Sequence, residues 1–226
     1  MEIWRLLLND DAENGAASPC DAEPHPVFVS HSAAEAVLLD ANPLNASGIT
    51  LPTGVPAVVC RSGWLEPDSD DEADRADAAR RTWSGEGRIR FEAAWDSLRA
   101  TAESRGVGLW LLPHAGDVIG DVPALRSLAG HDGGVELLLE PSAMLTESMI
   151  PEAGDHFDRL LEPLESGDLV RAVLVTNTDG VGRVPIGEGR IDPDILLSLA
   201  ERVSAWAPVC VLAGDEALVA ASRGRA

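Results

Sequence analysis

Lysine is absent from this chain, and so is tyrosine. Without lysine there is no Schiff-base chemistry, no internal aldimine cofactor and no catalytic ammonium group. All 17 basic residues are therefore arginines, which codon usage explains without a functional reason. Positive charge is scarce altogether: 38 acidic residues leave a net charge of −21. Such a surface repels nucleic-acid phosphates and anionic membranes, so neither is an expected partner. The three cysteines, Cys20, Cys60 and Cys210, are isolated and odd in number, which fits a reducing compartment and no disulfide framework. No apolar run is long enough to span a bilayer. The start MEIWRLLLND lacks the basic region and apolar stretch of a signal peptide, and a cytoplasmic protein is the expectation. P-loop, dinucleotide, nucleophile-elbow and zinc spacings are all missing.

What is present is an alternation of short apolar runs with amphipathic segments. A length of 226 residues suits a single domain over 1–226. Strands are expected at 3–8, 27–30, 48–51, 56–60, 107–112, 135–140, 170–175 and 209–213. Runs such as GVGLWLL and VELLL are apolar on both faces, as in parallel strands covered by helices. Helices are expected at 32–40, which is rich in alanine, at 70–81, and at 90–103. In the last of these Phe91, Trp95, Leu98 and Ala102 form one apolar stripe. Asp121 with Pro123 starts a helix through Leu128, and Asp192 with Pro193 reads as an N-cap and first helical residue. Alternating strands and helices make the fold class α/β. Residues 10–26 and 64–71 read as acidic loops.

Several segments occur in an order that resembles the xylose-isomerase-like TIM barrels. They are ESRG (103–106), LWLLPHAGDVIGD (109–121), VELLLEPSAML (135–145), NTDG (177–180), VPIGEGRID (184–192) and AGD (213–215). The resemblance implies a single (β/α)8-type barrel, short for its kind, with a strand or helix irregular. The thin part is 179–192, which leaves little room for a helix. It also implies a site at the C-terminal strand ends. There relatives hold Mg, Mn or Zn with carboxylates and histidine for isomerase or epimerase chemistry.

Position by position that chemistry does not carry over. The four metal-ligand positions read Leu112, Glu140, Leu174 and Ala213, and only Glu140 is able to ligate. Ala143 and Asn177 stand where a further His and Asp are usual. The expectation is a barrel of the sugar-phosphate isomerase/epimerase type without a metal site, binding a sugar-like small molecule or a protein, and no cofactor. The candidate catalytic groups are His114 and Glu140, as acid/base side chains at the mouth. Hydrogen bonding of His114 to Asp117, and an ion pair of Glu140 with Arg183 or Arg190, are their structural readings. The candidate substrate-binding residues are His31, Trp110, Asp117, Asp179 and Glu188. Trp110 shares strand parity with Leu112 and should point into the barrel, occupying room a sugar needs. Asp192 serves as a cap, and Gly187 and Gly189 serve backbone conformation.

Two other readings compete. One is an active sugar or sugar-phosphate isomerase, with His114, Glu140, Asp179 and Asp215 as a rearranged divalent-metal site. The other is an adaptor for a basic protein partner, using the acidic loops.

Overall fold

The computed structural model describes residues 3–7, 27–30, 33–39, 41–45, 49–129, 135–165 and 168–222. Short apolar runs become strands: β1 (Ile3–Leu7), β2 (Val27–Ser30), β3 (Ala33–Leu38) and β4 (Ala57–Arg61). Further along are β5 (Gly108–Leu112), β6 (Glu136–Leu139), β7 (Val170–Leu174) and β10 (Val209–Leu212). Among the described residues these eight close a barrel in the order β1-β10-β7-β6-β5-β4-β3-β2. Seven run parallel, while β2 is antiparallel to both β1 and β3. The chain is thus a short, distorted TIM barrel with one strand reversed.

Strand β3 overturns the helix expected at 32–40. Alanine's helix preference is a fraction of a kcal/mol per residue and yields to tertiary pairing. Here Ala36 and Leu38 fill the barrel interior, while Val37 and Leu39 join the outer apolar layer. That alternation needs a strand. The strand expected at 48–51 is irregular over its described part, and Leu51 is buried there beneath the helices. No helix occurs between β3 and β4 among the described residues.

The outer layer holds α1 (Glu72–Thr82), α2 (Gly85–Arg105), α3 (Val122–Ala129), α4 (Ala153–Leu161), α5 (Pro193–Val203) and α6 (Glu216–Ser222). Asp71 caps α1 by accepting from the Asp74 N–H, and Asp192 caps α5 by accepting from Asp194 N–H. The expected stripe of α2 is its buried face: Phe91, Trp95, Leu98 and Ala102. Between β7 and α5 the thin stretch folds as a small antiparallel hairpin, β8 (Asn177–Thr178) with β9 (Arg183–Val184).

Inside the barrel the indoles of Trp4 and Trp110 stack at 6.0 Å with planes 18° apart. Their strands, β1 and β5, lie opposite each other in the ring, so the rings meet across the axis. Leu6, Leu112, Leu174 and Leu212 occupy the same interior cluster. The parity expected of Trp110 and Leu112 holds, and both are buried.

Candidate functional site

Where strands β3 to β7 end, their last residues and following loops surround a cavity of about 270 Å3. Small-molecule sites usually run from about 300 to 1,000 Å3, so this one suits a small metabolite. Arg61 ends β4, Leu112 ends β5, His114 follows it, Glu140 follows β6, and Arg183 comes from the hairpin after β7. This is the end of the barrel where such folds carry their sites.

Glu140 is completely buried. Its carboxylate accepts from Arg183 Nε and Nη2, both at 2.7 Å, and from the Thr176 hydroxyl at 2.8 Å. Thr176 in turn shares a hydrogen bond of 2.9 Å with Ser142. A bidentate guanidinium–carboxylate pair is among the strongest of protein hydrogen-bond arrangements. Arg190 instead pairs with Glu147 on the surface at 2.9 Å.

A second pair lies beside the first. Asp117, only 1% exposed, accepts from Arg61 Nε at 3.0 Å and Nη2 at 2.5 Å, and from the Gly63 N–H at 3.3 Å. The Arg61 guanidinium also lies 4.8 Å from the Trp64 ring centre. Asp117 is therefore not the partner of the His114 ring, and it does not line the cavity. It ties the loop after β4 to the loop after β5, helped by the Ile119 N–H bond to Ser62 Oγ at 2.9 Å.

His114 Nδ1 lies 2.7 Å from the Ala115 carbonyl oxygen. A carbonyl only accepts, so Nδ1 carries the proton and Nε2 of the neutral ring keeps its lone pair. Burial pulls the His114 pKa below its usual 6.5, and Arg61 adds to this; the Ala115 hydrogen bond, Asp117 and Glu140 oppose it. Because the unfolded chain takes the proton first, the associated stability is full above pH 6.5 and is lost as pH falls toward the folded pKa. His114 should titrate below 6.5 in an NMR pH series on the native protein; a midpoint at or above 6.5 would contradict the buried, Arg61-flanked placement.

Other candidates sit elsewhere. Trp110 is a layer deeper than the cavity, against Trp4, and does not line it. Asp179 is exposed and accepts from the Val181 and Gly182 N–H groups at 2.8 and 2.9 Å, fixing the hairpin turn and lowering its own pKa. Glu188 is exposed in a turn outside the cavity. Asp215 is buried away from the cavity, where it accepts from Ile186 N–H at 3.0 Å; burial raises its pKa. Ala213 is exposed in the turn after β10 rather than inward. His31 and the loop 10–26 lie outside the described residues.

Asn177 organises the floor of the hairpin. Its amide donates to the Ile186 and Ile191 carbonyls, both at 2.8 Å, and its oxygen accepts from the Ile191 N–H at 2.9 Å. Gly189 is glycine because a Cβ there would stand 2.2 Å from the Asn177 side chain, a matter of close approach rather than of backbone angle. Both described cysteines are free and buried. Burial, with a smaller contribution from Asp117, pushes the Cys60 thiol up to about 12, and burial raises Cys210 well above its usual value.

The donors at the mouth do not suit a divalent cation. Glu140 and Asp117 are each committed to an arginine fork, and Leu112 and Leu174, at two positions where the resemblance would put ligands, are buried in the interior cluster. Among the described residues no group of three or more His, Cys, Asp or Glu side chains is close enough to hold a metal. Nor is any helix among them long and apolar enough to cross a membrane.

No protein-family model matches the chain. No curated protein matches it either. Solved structures do. Endonuclease IV from Thermus thermophilus is 16% identical with a TM-score of 0.50, over 76% of this chain and 63% of that one. The chain thus spans less than two thirds of that enzyme's length. A D-tagatose 3-epimerase-like protein is 13% identical with a TM-score of 0.42, over 76% of each chain. Mannonate dehydratase from Streptococcus suis is 14% identical with a TM-score of 0.39, over 70% of this chain and 55% of that one. Taken with the barrel's strand order, the first of these likenesses shows the fold alone, a TIM-type barrel like that of the endonuclease.

Proposed function

We propose that this barrel binds a small polar, sugar-like molecule at its mouth without a divalent cation, and serves as a binding or interaction protein rather than a metal-dependent isomerase. The observation that carries this reading is the state of Glu140. It is the one ligand position that kept a carboxylate, and that carboxylate is buried and saturated by Arg183 and Thr176. A cation would have to displace a bidentate guanidinium and recruit further donors from leucines. The alternative isomerase site needs Asp179 and Asp215 beside His114 and Glu140, and neither aspartate lines the cavity. What the mouth retains for acid/base work is the bare Nε2 of His114.

The endonuclease's nucleic-acid chemistry does not transfer to a chain with a net charge of −21. A basic protein partner would meet the exposed acidic residues Glu66, Asp68, Asp70 and Asp71. A cytoplasmic setting fits the isolated cysteines.

The deciding measurement is elemental analysis of purified protein together with thermal shifts against Mn, Mg and Zn, with EDTA as control. No bound metal and no shift are expected. About one metal per chain, coupled to a melting point that EDTA lowers, would return the isomerase reading to first place.

A further inference from the structure

The whole chain is strongly acidic, yet the cavity at its barrel mouth is not. The ionisable groups lining it are Arg61, Arg183, Glu140 and His114. With His114 neutral, the two arginines are balanced by Glu140 in the lining and by the buried Asp117 behind Arg61, so the mouth is neutral inside a molecule of net charge −21.

The two guanidinium groups are also prepositioned. Each is gripped along its Nε–Nη2 edge by a buried carboxylate, Arg61 by Asp117 and Arg183 by Glu140. Each remains 28% exposed. Arg61 Nη1 makes no hydrogen bond to any described residue. A cation held by a second-side carboxylate has already lost its rotamer freedom, so less is lost when a ligand arrives.

We infer that the mouth is an oxyanion site, in which Arg61 and Arg183 hold the carboxylate or phosphate of a small polyol acid. This rests on the metal-free reading above and names its ligand class. With their Nε–Nη2 edges held by Asp117 and Glu140, the guanidinium groups would meet a carboxylate or phosphate oxygen by charge-assisted hydrogen bonds from the ends of the groups rather than by those edges. Ser142, Thr178 and His114 line the rest of the cavity and suit the hydroxyls of the same molecule. Repulsion from the acidic surface is screened beyond about 8 Å at physiological salt, so it slows approach more than it weakens contact in the cavity.

The test is titration calorimetry on the full chain in EDTA with glycerate, glycerol phosphate and glycerol. At least one anion should bind about tenfold or more tightly than glycerol, and the ranking of the two anions separates carboxylate from phosphate. The paired variant Glu140→Gln with Arg183→Gln keeps hydrogen-bonding amides at the site and removes both charges. It should lose about tenfold in anion affinity and nothing for glycerol. If it does not fold by circular dichroism, Arg61→Gln with Asp117→Asn takes its place, and the comparison of probes on the unaltered protein stands by itself. Glycerol binding as well as the anions, no binding by any probe, or unchanged anion affinity in the folded variant would each overturn the oxyanion site while leaving the metal-free reading intact. Binding that appears only when Mn replaces EDTA would overturn that reading instead.

Discussion

Arg183→Ala should lower the free energy of unfolding by about 3–5 kcal/mol, because removing one partner strands a charge in the protein interior. Glu140 is fully buried, and Thr176 alone would remain to hydrogen-bond its carboxylate. The reverse change, Glu140→Leu, should cost less. It leaves a guanidinium whose side chain is 28% exposed and able to turn toward water. Replacing both at once, Glu140→Leu with Arg183→Leu, should recover most of the loss, since a buried ion pair adds little over apolar side chains of similar volume. Urea unfolding of the four proteins measures all of this. Arg126→Ala provides the scale: its pair with Glu162 is exposed on both sides and is worth about 1 kcal/mol or less. If Arg183→Ala costs no more than Arg126→Ala, the pair is not the fastening of the mouth described above.

The strands of the barrel were legible where both faces are apolar. AVVC, GLWLL, ELLL and VCVL can only be buried on two sides, and only a covered parallel sheet offers that. The stripe of α2 was legible for the same reason at a different period. β3 was not, because AAEAVL has the composition of a helix, and the alternation that decides it depends on β2 and β4 as partners. Parity placed Trp110 on the correct side of its strand, but parity carries no depth, and depth is what separates a packing residue from a binding one.

The site divides the same way. Glu140 and His114 were legible from landmarks flanking them in the chain. Arg183 was legible only as one of two arginines able to reach Glu140, since the partners stand 43 residues apart. Arg61 was missed altogether. Its partner Asp117 is 56 residues away, and the one local signal was a lone cation closing an apolar strand at the functional end of the barrel. Asp179 and Glu188 attracted attention as carboxylates in a loop, but the backbone of a tight turn had first claim on Asp179.

Trp110→Ala is the second large effect and decides the depth question. Truncating a buried tryptophan removes its transfer free energy and leaves a cavity the barrel walls cannot close, at a cost of about 3–5 kcal/mol. The stack on Trp4 adds to that loss. In a chain of this size the melting temperature should fall by about 10 °C. Ile89→Ala, at a residue 68% exposed on α2, should stay within about 0.5 kcal/mol of the parent and shows what surface truncation does. The informative contrast lies at the mouth. Trp110 packs beneath the cavity and contributes nothing to its lining, so glycerate or glycerol phosphate binding, measured well below the lowered melting point, should be unchanged within about twofold. A Trp110→Ala protein that stays as stable as the parent but loses its ligand would place the indole in the binding site and reverse the assignment. A protein that loses stability and keeps its ligand fixes Trp110 as the plug that closes the barrel below the site, leaving recognition to the arginines above it.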